Sequence, residues 1–290
     1  MDDCSGRILW LASYPKSGNT WFRVFYTNLI SGQEVPARID ELEPRLMAGS
    51  RALFDEYAGV HASNLTFDEI ERIRPQVYET LAREEKKTIF IKIHDAYTRT
   101  GEGVPLVSQR ATRGAIYFIR NPLDVAVSFA HHNACDVQTM IEKMADNQYS
   151  FCAWPNRIVS QLRQRLLSWS AHVTSWVDGL GPDLHLMRYE DMVLSPVETF
   201  SGAVRFARLP NDPKRIQKAL AFSDIGELQR QEKTSGFKEK HAKASSFFRK
   251  GTIGAWREVL TRDQVKRLID DHRDVMKRFG YLSDNDEPVF

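Results

Sequence analysis

The sequence predicts an α/β fold in which a central, mainly parallel sheet is flanked by helices. Four short segments are continuously apolar and rich in β-branched or aromatic residues, which is typical of strands covered on both faces. Segments with helical periodicity lie between them, and strands that alternate with helices usually pair in parallel. The predicted strands are Ile8–Ser13, Thr88–His94, Ala115–Arg120 and Leu184–Tyr189.

The first two helices follow the first and third strands. Apolar side chains recur every four residues after the opening turn, at Trp21, Phe25 and Leu29. The second helix has a capping amide in Asn121, a proline at its first turn in Pro122 and an acid that faces the helix dipole in Asp124. Both patterns place a helix start directly after a buried strand.

Three later patterns predict further helices. The longest apolar stripe of helical spacing consists of Ile158, Leu162, Leu166, Trp169, Val173 and Trp176. Ser195 and Glu198 have the spacing of a capping box. Thr261 and Gln264 begin the last helix, and Gly280 ends it.

The composition bounds the domain organisation and the function classes. The chain has 290 residues, of which 42% are hydrophobic and 27% charged, so it can form one large α/β domain or two small ones. We predict a single domain over residues 1–290. A net charge of +2 is too balanced for a general nucleic-acid-binding protein, so an anion site must be local.

The sequence predicts a cytoplasmic protein with no membrane partner. No segment approaches the roughly 18 unbroken apolar residues that a membrane span needs. The N-terminal MDDCSGR lacks the basic and apolar regions of a secretory signal. Cys4, Cys135 and Cys152 are far apart and form no CxxC pair, which predicts free thiols in a reducing compartment.

The segment SYPKSGNTW, residues 13–21, joins the first strand to the first helix. Small residues at such a turn present backbone amides at a helix N-terminus, which is a phosphate-binding arrangement. Ser17, Asn19 and Thr20 add side-chain donors, and Lys16 adds a positive charge. A Walker A loop has its lysine after the last glycine, whereas Lys16 precedes Gly18, so a metal-dependent NTPase is poorly supported.

Each predicted strand ends beside a residue that can bind an anion or exchange a proton. Lys16, His94, Arg120 and Tyr189 fall at or just after the four carboxyl ends. Ligands of parallel sheets gather beyond these ends. We therefore expect the four residues to serve one binding site.

Three segments occur in an order and spacing that is typical of one enzyme family. They are YPKSGNTW at 14–21, YFIRNPLDVAVSF at 117–129 and FFRKGTIGAWREVLT at 247–261. They resemble the 5′-phosphosulfate loop, the 3′-phosphate motif and the RKGxxGDW segment of the cytosolic-type sulfotransferases. The resemblance covers nearly the whole chain and implies a P-loop-like nucleotide-binding fold. It also implies transfer of a sulfuryl group from 3′-phosphoadenosine 5′-phosphosulfate (PAPS), with release of 3′,5′-bisphosphoadenosine (PAP).

The resemblance implies three catalytic residues. His94 matches the family's general base, which takes the proton of an acceptor hydroxyl or amine, and imidazole suits that task because it titrates close to neutral pH. Lys16 matches the loop lysine that stabilises charge on the oxygen between phosphate and sulfate. Lys92 lies on the same strand face as His94 and would bind the sulfuryl oxygens. The implied reaction is an in-line displacement at sulfur that requires no metal.

The resemblance also implies the residues that bind PAPS. They are Lys16, Ser17, Gly18, Asn19, Thr20, Trp21, Arg120, Ser128, Tyr189, Ser223, Arg249, Lys250 and Gly251. Residues 16–20 match the cradle of the 5′-phosphate. Trp21, Tyr189 and Ser223 match residues that contact the adenine, and the other five match the ligands of the 3′-phosphate. The chain departs from the family pattern at Ala255, where the family has aspartate.

Several alternatives stay open on the sequence alone. The rival functions are an ATP-dependent small-molecule kinase and a non-catalytic nucleotide-binding protein of the same fold. The small-molecule acceptor is not predicted, because the resemblance is thin over residues 31–87 and 135–157. The basic segment Lys233–Lys250 is either a solvated loop or a flap over an anionic ligand. The oligomeric state is not predicted, because the family's dimer motif is not kept.

Overall fold

The computed structural model describes residues 6–154, 157–240 and 244–290. Its six strands are β1 (Ile8–Ser13), β2 (Ile89–Ile93), β3 (Thr112–Ile119), β4 (Ser150–Phe151), β5 (Gln164–Arg165) and β6 (Leu184–Arg188). The four longer strands form a central parallel sheet in the order β2-β1-β3-β6. The β1 and β2 pair runs in register from Ile8 opposite Ile89 to Ala12 opposite Ile93. All four predicted strands are confirmed, and β4 pairs separately with β5 in an antiparallel ladder.

Eleven α-helices lie in the described part of the chain. They are α1 (Asn19–Ser31), α2 (Arg51–Ala58), α3 (Phe67–Glu84), α4 (Pro122–Asn133), α5 (Val137–Ala145), α6 (Trp169–Leu180), α7 (Tyr189–Leu194), α8 (Pro196–Phe206), α9 (Pro213–Ala221), α10 (Ile225–Ser235) and α11 (Arg262–Arg278). Helices flank the sheet, so the predicted fold class is confirmed.

Two of the predicted helix starts have the predicted caps. The Asn121 side chain accepts a hydrogen bond from the Leu123 amide at the start of α4. Thr261 and Gln264 form a complete capping box at the start of α11. Gly280, with φ of 69°, follows the end of α11 as expected for a stop residue.

Two other helix predictions were wrong in part. The stripe from Ile158 predicted a helix that the structure begins only at Trp169. Ile158 is 69% exposed, and Leu167 has a left-handed backbone with φ of 59°, which ends the extended segment before Ser168 caps α6. The helix after Ser195 forms, but the Ser195 side chain makes no capping bond because its backbone leaves the usual cap conformation.

The chain divides into two units, each assembled from three separate segments. Unit 1 contains Met1–Tyr14, Pro44–Tyr117 and Asn147–Leu186. Unit 2 contains Pro15–Glu43, Phe118–Asp146 and Met187–Phe290. Trp10, Trp169 and Trp176 are among the fully buried side chains of unit 1, and Phe22 and Phe25 are among those of unit 2. The single domain over residues 1–290 stays a prediction.

Part of the basic segment Lys233–Lys250 packs into unit 2. Phe237 and Phe248 are buried in a cluster with Val24 and Leu228, and Phe247 lies against that cluster. The described aromatic residues are therefore not solvated, although residues 241–243 lie outside the described part of the chain.

Two further findings bear on the predicted compartment. Cys135 and Cys152 are free thiols, and Cys4 lies outside the described residues. Among the described helices, none combines the length and the apolar character that a membrane crossing requires.

Candidate functional site

The loop before α1 has a backbone that is open to an anion. Gly18 is the N-cap residue of α1 with φ of 105°, and it provides no side-chain cap for the first helical amides. Lys16 also has a positive φ, 72°, which is uncommon for a residue with a Cβ. Amides without a side-chain cap at a helix N-terminus favour negative charge.

Position 18 requires glycine for space as well as for its backbone angle. A Cβ there would lie 3.1 Å from Cδ2 of Tyr189 and 3.3 Å from Sδ of Met192. The first residues of α7 therefore pack directly against the loop. A larger residue at position 18 would displace the loop from this helix.

The Arg120 side chain connects three parts of unit 2. Its Nη1 donates to the Lys16 carbonyl at 3.3 Å, and its Nη2 donates to the Thr252 carbonyl at 3.0 Å. The guanidinium also lies over the Tyr189 ring, 4.0 Å from its centroid. Arg120 follows β3 directly and is 9% exposed, so these three contacts hold its guanidinium in a largely buried position.

Arg249 brings a second guanidinium close to the first. Burial lowers the pKa of Arg249, the positive charge of Arg120 lowers it further, and the negative charge of Asp124 offsets part of the decrease. Folding therefore holds two like charges near one another at an electrostatic cost. Such a pair is typical of a site that receives an anion with more than one negative charge.

Two buried polar atoms near this pair lack a hydrogen-bond partner among the described residues. They are Oγ of Ser17, a residue that is 1% exposed, and Nε of Arg120. A buried donor left unpaired costs about 1–3 kcal/mol. An oxyanion that accepted from these atoms would remove the cost. We call residues 16–20, Arg120 and Arg249 the anion cradle.

Asp124 fastens the C-terminal segment to the first turn of α4. Its carboxylate accepts from the Gly254 amide at 2.9 Å and from the Trp256 amide at 3.1 Å. Asp124 is 2% exposed and lies 3.7 Å from Nη2 of Arg120. The sequence predicts only an acid near a helix dipole at this position, because contacts across 130 positions leave no local signal.

Gly251 also needs its lack of a side chain. Its φ is 65°, and a Cβ would lie 3.1 Å from Cγ1 of Ile225. The turn between Arg249 and Thr252 therefore packs closely on α10.

Two lysines expected at the site have contacts within unit 2. The Lys16 ammonium lies over the Phe247 ring, 4.1 Å from its centroid. Phe247 had no predicted role, because only tertiary packing brings it to Lys16. Lys250 is more exposed, and its Nζ pairs with Glu258 Oε2 at 2.5 Å.

The two aromatic residues expected beside the adenine lie next to one another. Trp21 is half-buried, with its ring edge-on to Tyr189 at 6.0 Å and to Phe200 at 5.4 Å. Nε1 of Trp21 is buried and has no partner among the described residues. The indole is therefore partly a core residue.

Three hydroxyl or amide residues differ in how far they are buried. Ser128 is half-buried on α4, one turn beyond Asp124, and Asn19 is buried at the start of α1. Ser223 is fully buried, and its hydroxyl donates to the Ala219 carbonyl at 2.7 Å and accepts from Nδ2 of Asn28. Both described partners of the Ser223 hydroxyl are therefore inside the protein, and its contact with adenine stays a prediction.

Lys92 and His94 belong to unit 1. Lys92 is half-buried on β2, and its backbone is hydrogen-bonded on one side to residues 46–48. His94 directly follows β2 and is half-buried. Ile93 between them is buried, which is the alternation expected when Lys92 and His94 share one face of the strand.

The His94 ring has a defined proton position. Its Nδ1 lies 2.8 Å from the Ser13 carbonyl, which can only accept, so Nδ1 carries the proton. In the neutral ring the lone pair is then at Nε2. That tautomer offers Nε2 as a proton acceptor, which a general base requires.

A second histidine, His172, contacts the backbone of His94. His172 is fully buried, and burial lowers its pKa to about 4. Its Nε2 lies 3.0 Å from the His94 carbonyl, and its Nδ1 lies 2.8 Å from the Tyr117 hydroxyl. We call Ser13, His94, Tyr117 and His172 the His94 network.

The described residues contain no group of three or more His, Cys, Asp or Glu side chains arranged to hold a metal ion.

The chain matches one family over most of its length. The model described as "Sulfotransferase domain" matches residues 7–280. The flavonol 3-sulfotransferase of Flaveria bidentis is 23% identical over 282 residues, which cover 91% of this chain and 80% of that protein. Cytosolic sulfotransferase 1 of Arabidopsis thaliana is 24% identical over 277 residues, covering 89% and 75%.

Two solved structures share the fold. One is mouse sulfotransferase SULT7A1 complexed with PAP, with a TM-score of 0.58, 18% identity and coverage of 95% of this chain and 87% of that chain. The other is retinol dehydratase in complex with androsterone and the inactive cofactor PAP, with a TM-score of 0.62, 17% identity and coverage of 97% and 84%.

Proposed function

The chain belongs to the sulfotransferase family, and from that premise we propose that it transfers a sulfuryl group from PAPS to a hydroxyl or amine on a small molecule. The anion cradle carries the proposal. It combines two guanidinium groups that repel each other with a buried hydroxyl that has no partner in the described part of the chain. A nucleotide phosphorylated at both its 3′ and 5′ ends supplies the negative charge that such a cradle lacks.

The residues fit the two ends of that nucleotide. We propose that residues 16–20 bind the 5′-phosphate through the amides of α1 and the Ser17 hydroxyl. Arg120, Ser128 and the segment Arg249–Gly251 would bind the 3′-phosphate, and Trp21 and Tyr189 would contact the adenine. Ser223 is not included, because its hydroxyl already has two partners inside the protein.

The catalytic roles are proposed for three residues. Bound PAPS supplies the sulfuryl group and leaves as PAP. His94 would take the acceptor's proton at Nε2, the atom that its bond to Ser13 leaves unprotonated. Lys16 and Lys92 would stabilise negative charge on the leaving and transferred oxygens. Fixed cations can do this without magnesium, because a sulfuryl group carries less charge than a terminal phosphoryl group.

Ligand-dependent unfolding tests the donor. PAP should raise the melting temperature by several degrees, since a ligand at 100 times its Kd contributes about 2.7 kcal/mol. ATP with magnesium should raise it much less, because it lacks the 3′-phosphate. Stabilisation by ATP and magnesium alone would instead favour a kinase. Transfer of ³⁵S from labelled PAPS to a panel of acceptors then separates an enzyme from a non-catalytic binding protein.

The His94→Ala variant tests the proposed base. Its turnover should fall about 10²–10⁴-fold, the usual contribution of a general base. Its PAP affinity should stay within about twofold, because the proposed phosphate ligands all lie in unit 2. His61→Ala, at an exposed histidine of unit 1, is the matched control. Near wild-type turnover in His94→Ala would remove His94 from the mechanism.

The acceptor is proposed only by class. The similar proteins include a flavonol sulfotransferase and a retinol dehydratase whose complexes contain androsterone or retinol. We propose an acceptor hydroxyl on a largely apolar skeleton, and the panel should hold a small alcohol, a phenol, a flavonol, a sterol and a sugar. A cytoplasmic location also stays a proposal, supported by the Arabidopsis relatives named cytosolic sulfotransferases.

A further inference from the structure

One face of α6 binds the backbone of the residues that follow β2. His172 Nε2 contacts the His94 carbonyl at 3.0 Å, and Trp176 Nε1 donates to the Asp95 carbonyl at 2.9 Å. Between them along the helix, the Ser175 hydroxyl accepts from the Tyr97 amide at 3.0 Å. Residues 172, 175 and 176 share one helix face. Three of four consecutive backbone positions are thus held by a single helix.

The hydrogen bonds of this region allow only one arrangement of protons. The His94 carbonyl can only accept, so His172 carries its proton at Nε2. Nδ1 of His172 then accepts from the Tyr117 hydroxyl, which burial keeps protonated by raising its pKa. The His94 network therefore links the end of β1, the end of β2, β3 and α6.

We propose that α6 is the element that positions the base, with His172 and Trp176 as positioning residues and Tyr117 fixing the tautomer of His172. This inference rests on the proposed role of His94. None of the three touches a reacting atom; they act through the backbone that carries His94. The bond from His94 Nδ1 to the Ser13 carbonyl spans 2.8 Å. A shift of the backbone at His94 would lengthen this bond, and the Ser13 carbonyl would then no longer fix the ring.

The expected effect is on the rate of the chemical step. A displacement of about 1 Å in a catalytic group can lower the rate about 10²-fold. His172→Phe keeps a planar ring in the core but removes the donor to the His94 carbonyl. His172→Gln keeps an N–H at a similar reach. The first variant should lose catalysis, and the second should recover most of it.

The test compares kcat, KM and PAP affinity in these variants with the best acceptor of the panel. In His172→Phe, kcat should fall about 10–10²-fold, while KM for PAPS and Kd for PAP stay within twofold. In His172→Gln, kcat should return to within about threefold of the wild type. Thr174→Ala is the matched control, because among the described residues that hydroxyl bonds only to the Ser170 and Ala171 carbonyls of α6 itself.

A spectroscopic readout is independent of the acceptor. Long-range ¹⁵N–¹H spectra, assigned with His94→Ala, should show His94 protonated at Nδ1 in the wild type. In His172→Phe the two ring nitrogens should shift towards the average of exchanging tautomers. If His172→Phe does not fold, Trp176→Phe is the second variant, with a smaller fall in kcat and the same unchanged Kd for PAP.

The outcomes separate the two proposals. Full turnover in His94→Ala contradicts the base itself, whatever α6 does. The positioning role alone is overturned if His94→Ala loses turnover while His172→Phe and Trp176→Phe keep it. In that case both of these variants would also keep the wild-type tautomer of His94. Equal losses in His172→Phe and His172→Gln also overturn it, because packing rather than the Nε2 donor would then explain the effect.

Discussion

The His94 network of unit 1 and the anion cradle of unit 2 both consist of polar groups that folding buries, but they differ in how their hydrogen bonds are completed. In the network, each of the bonds joins a donor to an acceptor within the protein, from Tyr117 through His172 and His94 to Ser13. In the cradle, Oγ of Ser17 and Nε of Arg120 have no partner in the described ranges, and Arg249 is held close to a like charge.

The difference separates two uses of buried polarity. Completed bonds stabilise the fold and fix the geometry of a side chain before any ligand arrives. Incomplete bonds cost stability in the free protein, and a ligand that completes them binds more tightly and stabilises the fold in return. The same type of substitution should therefore lower stability in one region and ligand affinity in the other.

The largest expected effect is on PAP affinity in Arg120→Ala. This residue offers a planar pair of donors to a phosphate, and hydrogen bonds to charged groups contribute about 1.5–3 kcal/mol each. We expect Kd for PAP to rise about 10²–10³-fold by calorimetry. Adenosine 5′-phosphosulfate, which lacks the 3′-phosphate, should lose much less.

Arg262→Ala is the control for that variant, because Arg262 is exposed at the start of α11. Its affinity for both nucleotides should match the wild type. Equal losses of PAP and adenosine 5′-phosphosulfate in Arg120→Ala would contradict a contact with the 3′-phosphate and would reduce Arg120 to a support of the loop at Lys16.

A smaller loss of PAP affinity is expected in Arg249→Met, and the stability of the free protein should not fall with it. Kd for PAP should rise about 10–10²-fold, since one charged donor is lost. The melting temperature of the free protein should stay equal or rise, because burial of the Arg249 charge and its repulsion by Arg120 outweigh its attraction to Asp124. Lys250→Met is the comparison, and it should lose less affinity because Lys250 is already paired with Glu258.

A lower melting temperature of free Arg249→Met would break the comparison. It would show that Arg249 stabilises the fold in the absence of a ligand, as the His94 network does. Equal affinity losses at Arg249 and Lys250 would mean that the pair with Glu258 opens when PAP binds.

The sequence predicted the sheet well because strands buried on both faces, such as β1 and most of β3, contain continuous apolar runs. The run at β6 also marked a strand, although most of its residues are only half-buried. The same reasoning failed at Ile158, since spacings of four residues at Leu162 and Leu166 fit an extended buried segment as well as a helix. A left-handed residue at Leu167 separates that segment from α6. Local patterns report burial more reliably than they report the backbone angle at one residue.

The candidate site was predictable where its residues lie in local motifs, as at Lys16, His94 and Arg120. Asp124 and His172 could not be recognised, because the bonds that give them a role join residues 130 and 78 positions apart. Ser223 carried no motif of its own, and the structure shows its hydroxyl bonded to Ala219 and Asn28. Tertiary contacts decide such cases.

A matched pair of serine variants sharpens the comparison at the scale of one hydrogen bond. Ser17→Ala removes a buried hydroxyl that has no partner among the described residues, so the free protein should be as stable or slightly more stable, and Kd for PAP should rise about tenfold. Ser175→Ala removes a hydroxyl that accepts from the Tyr97 amide and donates to the His172 carbonyl. That variant should lose about 1–2 kcal/mol of stability.

Each variant is controlled by a property that should stay as in the wild type, which is stability for Ser17→Ala and PAP affinity for Ser175→Ala. Ser175→Ala should bind PAP as the wild type does, measured by calorimetry below its melting temperature. If Ser17→Ala were the less stable of the two variants, or Ser175→Ala the weaker binder, the assignment of stability to one region and of binding to the other would be wrong.

The smallest expected effect concerns the pH dependence of stability, in which a buried histidine of unit 1 and one of unit 2 should behave alike. Burial lowers the pKa of His172 in unit 1 and of His272 in unit 2 to about 4, below the ordinary value near 6.5 of an unfolded histidine. Between pH 6.5 and pH 4 each histidine binds a proton in the unfolded chain but stays neutral in the folded one. Its contribution to the free energy of unfolding is therefore fully present above pH 6.5 and is lost as the pH falls towards 4. Between pH 7 and pH 6 each histidine should lower the free energy of unfolding by about 0.7 kcal/mol.

His272→Leu tests this effect by urea denaturation at the two pH values. The variant should lose about 0.7 kcal/mol less than the wild type between pH 7 and pH 6, whereas His61→Leu, at a side chain that is 75% exposed, should lose as much as the wild type. An unchanged pH dependence in His272→Leu would mean that burial does not lower the pKa of His272 below that in the unfolded chain, and the neutral state inferred for His172 from the same burial would then lose its support.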